Sequence, residues 1–189
     1  MIKDNNSKQW LIDYFKLYNE FNYDDKIENL IVVKDLWLKT DSIDKKVIFC
    51  GNGGSAAMAS HCAVDLTKNA GIKAINFNEA DLITCFANDF GYENWISNAL
   101  RFYGEENDVV VLISSSGRSQ NIINAAEYAK KNSINIVTFS GFDDDNPLKS
   151  LGDINFWVDS NAYNIVEMTH HIWLLAIVDM IIGNSEYSA

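Results

Sequence analysis

The sequence predicts an α/β fold: a doubly wound five-stranded parallel sheet, flavodoxin-like, preceded by two helices. Three observations carry that prediction. Short apolar runs rich in β-branched residues recur at 46–50, 72–77, 108–113, 134–139 and 153–158. Helical patterns lie between and after them, at about 55–68, 79–87, 92–103, 119–131 and 163–183. The run Val109-Val110-Val111-Leu112-Ile113 is apolar throughout and does not alternate, which fits a strand buried on both faces and so a parallel sheet.

From the N-terminus, the first forty residues read as two helices. Trp10, Leu11, Tyr14, Phe15, Leu17 and Tyr18 recur at helical spacing, as do Ile27, Leu30, Ile31, Leu36, Trp37 and Leu38. Asn22-Tyr23-Asp24-Asp25 separates the two, and the second ends near Thr40-Asp41. The helical pair spans 1–41 and the α/β sandwich spans 42–189. At 189 residues, with no repeat, linker or low-complexity segment, the chain reads as one domain with a sizeable core. The first strand, Val47-Ile48-Phe49, runs into Cys50-Gly51-Asn52-Gly53-Gly54-Ser55 and then a helix. The third strand runs into Ser114-Ser115-Ser116-Gly117-Arg118-Ser119 and then a helix. The single proline, Pro147, falls in the loop 143–147.

The two small-residue loops are the main functional signal. A strand that ends in glycines and hydroxyls at a helix N-terminus offers free backbone N–H groups and the positive end of a dipole, which suits an anion. One such loop is an ordinary turn until shown otherwise; two in one short sheet point to a ligand that carries a phosphate. A 2-1-3-4-5 strand order makes strands one and three neighbours at the switch point, where ligands of such sheets bind.

Composition narrows the classes. Hydrophobic residues are 48% and charged residues 22%, as in a globular protein. A formal net charge of -11 argues against binding nucleic-acid backbone or anionic membrane surfaces. No basic segment followed by an apolar stretch opens the chain, and no apolar run reaches the ~18 residues that span a bilayer. Cys50, Cys62 and Cys85 are odd in number, lie in apolar segments and form no Cys-x-x-Cys pair, which fits a reduced, cytoplasmic protein.

Three polar groupings carry candidate chemistry. His61 and Asp65, four apart in the helix after the first loop, share a face; they form a metal or proton-handling pair, or a histidine satisfied by the next turn's carboxylate. Asn88-Asp89-Phe90-Gly91 is a helix C-cap or a contact to sugar hydroxyls. Glu167, His170 and His171 interrupt an otherwise apolar last helix. Successive helical residues point about 100° apart, so at most one of the two histidines shares a given site.

With those residues in view, the chain resembles the sugar isomerase (SIS) domain family, and within it the phosphoheptose isomerases. The anchors, in order, are Gly51-Asn52-Gly53-Gly54-Ser55-Ala56-Ala57, His61, Leu66-Thr67, Asn88-Asp89-Phe90-Gly91, Ser114–Ser119 and Glu167. The resemblance implies that Asn52, Gly53, Gly54 and Ser55 line a sugar-phosphate pocket and that Ser114, Ser115, Ser116 and Ser119 hold the phosphate. Asn88, Asp89 and Glu167 would contact the sugar. It further implies His61 as a metal ligand, position 65 as both ligand and catalytic base, and a homotetramer with sites shared between subunits. This sequence departs from the family at several of these places. Asp65 stands where the family has glutamate, Val166 where it has a glutamine ligand, and Leu174 where it has a catalytic histidine. Met58 and Ser60 replace a polar pair. Valine and leucine cannot coordinate zinc, so zinc is expected to bind weakly or not at all in the family's manner.

The expected function is therefore isomerisation of sedoheptulose 7-phosphate to D-glycero-D-manno-heptose 7-phosphate, in lipopolysaccharide or capsule heptose synthesis. Asp65 is the expected base, with His170 or His171 as its partner. The competing reading is a non-catalytic SIS module that binds a phosphosugar or a protein, such as a replication initiator. A third, a sugar-phosphate sensor of the transcriptional kind, fits poorly with the acidic charge. The expected partners are a phosphorylated sugar and further copies of the chain, with neither nucleic acid nor membrane.

Overall fold

Strands form where the chain is apolar without interruption. The computed structural model describes residues 7–19 and 24–187. β1 (Val47–Gly51) and β3 (Val109–Ser114) are buried along their whole length, which the centre of a sheet covered on both faces permits. They pair in parallel, Val47 opposite Val109 and Gly51 opposite Ile113. β2 (Ala74–Asn76) pairs with β1 on its other side, while β4 (Asn135–Gly141) and β5 (Ile154–Val158) extend the sheet from β3. The order is β2-β1-β3-β4-β5, the one the sequence predicts. β1 and β3 are therefore neighbours, and their C-terminal loops open side by side.

The helices are α1 (Ser7–Lys16), α2 (Asp24–Ser42), α3 (Gly54–Lys68), α4 (Ala80–Phe90), α5 (Trp95–Tyr103), α6 (Gln120–Lys131) and α7 (Tyr163–Ile182). A single 3-10 turn, Tyr92–Asn94, precedes α5. The expected separator at 22–25 is partly corrected: 22–23 lie outside the described residues, and Asp24 and Asp25 open α2.

Strand alternation sorts the core into two layers. Val47, Phe49, Val109, Val111 and Ile113 face Trp37 of α2, Met58 and Leu66 of α3, and Trp173 and Ile177 of α7. Ile48, Cys50, Val110 and Leu112 face Trp95 and Leu100 of α5 and Ile122 and Ala126 of α6. Cys50 and Cys62 are buried; Cys85, expected in an apolar setting, is exposed on α4.

Two helices depart from the expectations. α7 is 20 residues long and, by length and composition, apolar enough to cross a membrane, which corrects the reading that no apolar segment is long enough. In the fold it serves as a core helix, with Val166, Trp173, Leu174, Ile177 and Val178 buried beneath the sheet. α1 carries no buried residue. Its Trp10 and Phe15 side chains stay 47% and 62% exposed.

Candidate active site

The serine loop after β3 is built so that its hydroxyls converge. Ser114 Oγ donates to Ser119 Oγ at 3.2 Å. Ser119 is the N-cap of α6, yet its side chain makes no cap bond. Ser116 Oγ accepts from the Arg118 amide at 3.3 Å. The Ser115 hydroxyl is buried and has no partner among the described residues. First-turn N–H groups of α6 lack intrahelical partners, and the helix dipole is positive at that end. Hydroxyls and amides thus crowd one turn at the end of β3. The Arg118 guanidinium is drawn to Asp143 and Asp145.

The glycine loop after β1 is fixed by an amide clasp. Asn52 Nδ2 donates to Asn121 Oδ1 at 3.0 Å, and Asn121 Nδ2 donates to Asn52 Oδ1 at 2.8 Å. The Tyr92 hydroxyl donates to the same Asn52 oxygen at 3.0 Å. One asparagine therefore joins the end of β1, the start of α6 and the turn after α4. Asn52 is a frame for the pocket, its amide already engaged. Ser55, read from the sequence as a pocket residue, is buried and packed beneath Gly51. Gly53 and Gly54 remain exposed at the loop.

The first turn of α7 reaches the end of β4 and the loop after β1. Val166 sits against Gly141 at the end of β4, and the Glu167 carboxylate sits over Gly54 so closely that a Cβ there would meet its Oε1 at 2.8 Å. Glu167 makes no hydrogen bond or ion pair among the described residues, and burial pushes its carboxyl above the usual glutamate value. A carboxylate that faces a crevice without a partner is free to accept from sugar hydroxyls.

The two histidines of α7 part company. His171 Nε2 lies 3.0 Å from His61 Nδ1 on α3, and His61 Nε2 lies 3.3 Å from Asp65 Oδ2. Asp65 Oδ1 accepts from Asn69 Nδ2 at 3.3 Å. Burial, and then the neighbouring His61, hold His171 below the ordinary histidine value. His170, by contrast, is fully buried among Phe139 and Trp173, with Nε2 2.9 Å from the Ser140 carbonyl. Burial pushes it down to about 4. The expectation that His170 could act as an acid or base is corrected: it presents no surface to a ligand. Leu174 and Val166 are fully buried as well.

Asn88 and Asp89 lie in the last turn of α4, with Gly91 as the C-cap. Both are exposed, and Asn88 Nδ2 donates to Asp89 Oδ1 at 2.9 Å. Neither is hydrogen-bonded to either loop; Tyr92 makes that connection. Asn121 and Tyr92 are the site residues that sequence reasoning missed. The only signal for Asn121 is an asparagine two residues past the serine loop, and nothing in the spacing marks Tyr92.

A parallel sheet in this order, with hydroxyl- and glycine-rich loops at its central strand ends, is the arrangement of the SIS domain. The SIS sequence pattern matches residues 16–141, and the chain belongs to the SIS domain family. Its relatives narrow the class to phosphoheptose isomerases. The chain is 34% identical over 173 residues to the phosphoheptose isomerase of Buchnera aphidicola subsp. Acyrthosiphon pisum, covering 88% of this chain and 89% of that one. It is 35% identical over 140 residues to the enzyme of Fusobacterium nucleatum subsp. nucleatum, covering 71% and 72%. Among solved structures, phosphoheptose isomerase GmhA from Neisseria gonorrhoeae superposes with a TM-score of 0.83 at 26% identity, covering 93% of this chain and 97% of that one. A phosphoheptose isomerase from Francisella tularensis superposes at 0.86 with 22% identity, covering 94% and 99%, and speaks for the fold alone.

Proposed function

We propose that this chain is a phosphosugar isomerase that interconverts sedoheptulose 7-phosphate and D-glycero-D-manno-heptose 7-phosphate. The observation that carries the reading is the pairing of an anion-suited serine loop at the end of β3 with a titratable seam, Asp65, His61 and His171, between α3 and α7. Relatives at 34% identity named for the same class of reaction support it. The phosphate sits on Ser114, Ser116 and Ser119. The chain of carbons runs past Glu167, which accepts from its hydroxyls. His61 lies seven residue steps along α3 from Gly54, about 10 Å at 1.5 Å per residue, a span that suits a long sugar better than a triose. Isomerisation needs one group to move a proton between C1 and C2 while a second proton moves between the oxygens. His171, backed by His61 and Asp65, supplies the titratable group for the first transfer, and the second proton passes between the two neighbouring oxygens.

The same reading places the enzyme in the cytoplasm, as a homotetramer that supplies heptose for surface polysaccharide. The exposed apolar side chains of α1 support association. Val166 and Leu174, buried where the resemblance implies a ligand and an acid–base group, favour the second reading, a binding module without turnover. Incubation with sedoheptulose 7-phosphate in D₂O, followed by NMR, separates the two. We expect the aldose to accumulate with deuterium incorporated at the exchanged carbon. Binding without conversion or exchange, for any heptose, hexose or pentose phosphate, would establish the module instead.

A further inference from the structure

The resemblance implies zinc held by His61, the carboxylate at 65, a glutamine and a histidine. Here the last two are Val166 and Leu174, both fully buried in the apolar core. His61 has no nitrogen to spare, because Nδ1 faces His171 and Nε2 faces Asp65. Both Asp65 oxygens are engaged, one by His61 and the other by Asn69. Among the described residues, no group of three His, Cys, Asp or Glu side chains is placed to hold a metal ion. A zinc site with catalytic capacity takes three protein ligands, and this donor set does not fit one.

We infer that Asp65, His61 and His171 form a metal-free relay in which Asp65 and His61 position His171, and His171 Nδ1 is the group that takes the carbon-bound proton. The inference rests on the isomerase reading for the chemistry; for the relay it rests on the His61–His171 hydrogen bond and on the Asp65 carboxylate that faces the other nitrogen of His61. An ionised carboxylate only accepts. Asp65 Oδ2 lies 3.3 Å from His61 Nε2, and a carboxylate facing that nitrogen favours the hydrogen there. A neutral imidazole has one donor and one acceptor, so His61 Nδ1 accepts, and His171 Nε2 carries the hydrogen that bridges them. His171 Nδ1 is left with its lone pair, and no described residue bonds to it. A carboxylate that fixes the tautomer of a working histidine is the logic of hydrolytic triads; here it acts through a second imidazole.

The step balances without a co-reactant. His171 Nδ1 removes a proton from C1 of the ketose. The C–H electron pair becomes the C1–C2 double bond, and the C2 carbonyl oxygen takes up the displaced pair. The proton that the O1 hydroxyl gives up passes to the adjacent O2 as C1=O forms. The double-bond pair takes the proton back from the imidazolium at C2. Asp65 is thus a positioning residue, in place of the base the sequence suggests.

The test uses full-length protein labelled with [¹⁵N]histidine. We expect ¹⁵N–¹H correlation to show His61 and His171 both as Nε2–H tautomers. Calorimetry with zinc chloride should show no stoichiometric binding, and a chelator should leave turnover unchanged. In Asp65→Asn the side-chain amide can donate to His61 Nε2, so both tautomers should switch and turnover fall at least 100-fold; Asp65→Glu should keep the original tautomers. His171→Ala should lower turnover by about 10²–10⁴-fold with sugar-phosphate affinity retained. Stoichiometric zinc, an Nδ1–H tautomer of His171 in the unsubstituted protein, or His171→Ala turnover within threefold would overturn the inference. If the unsubstituted protein turns over no sugar phosphate, the isomerase reading and the proton-transfer step fail together. The tautomers and zinc content still decide, on their own, whether the trio is a metal-free relay.

Discussion

His170 and His171 are adjacent in sequence and opposite in fate because each helical residue turns about 100° from the last. One side chain enters the core and the other reaches α3. Spacing alone leaves the choice open; packing makes it. His170 carries a consequence for stability. Its folded-state value is about 4, below the ordinary 6.5. Between those values the unfolded chain binds a proton that the folded chain does not, so stability falls as pH drops from 6.5 toward 4 and levels off below. The full penalty is on the order of 3 kcal/mol. Urea unfolding at stepped pH should show this slope, and His170→Asn should flatten it whatever its own stability; an unchanged slope would show that His170 is not the source. The serines of the phosphate loop call for a different readout. Ser114→Ala with Ser116→Ala removes two hydroxyls from the turn that Ser114 and Ser119 share. Sugar-phosphate affinity should drop at least tenfold with little change in melting temperature. Unchanged affinity would rule out the phosphate assignment.

α7 does two jobs, and two glycines report on them separately. At the end of β4, a Cβ on Gly141 would meet Val166 Cγ1 at 2.5 Å and the Ser115 carbonyl oxygen at 3.2 Å. Valine is stiff at χ1, so Gly141→Ala should force α7 off the sheet and cost about 1–3 kcal/mol, several degrees of melting temperature in a chain of this size. At Gly54 the obstacle is the end of the flexible Glu167 side chain. Gly54→Ala should swing that carboxylate aside at a cost under about 1 kcal/mol, yet weaken sugar-phosphate binding as much as Glu167→Ala does. Calorimetric melting of the two variants beside binding assays checks the contrast; equal destabilisation would show that Glu167 is wedged in place. The strands themselves were legible in the sequence, because β1 and β3 are apolar at every position and only a doubly covered parallel strand reads that way. β2 was less so: Ala74–Asn76 is shorter than its apolar run, since its residues are only half-buried.

Across the chain as a whole, the pocket's hydroxyls were legible and its frame was not. Ser114–Ser119 announce themselves as a contiguous run after a strand. The clasp that holds Asn52 joins residues 69 and 40 positions apart, and periodicity speaks only within one element. The zone of α1 has the same character. Its helical spacing is plain in the sequence, but what its apolar side chains pack against is not. In the fold they pack on little: Trp10, Leu11, Ile12 and Phe15 are all exposed, as are Ile27, Val32 and Leu38 of α2. Exposed apolar surface of that extent marks an interface, and a closed symmetric assembly of identical chains is the commonest way to cover it. For the homotetramer proposed above, light scattering at micromolar concentration should give four chain masses. Trp10→Glu with Phe15→Glu should lower that mass while circular dichroism stays unchanged, because neither side chain contributes to the buried core. A monomer from the unsubstituted protein would refute the assembly, and would leave the α1 surface to be explained by a different partner.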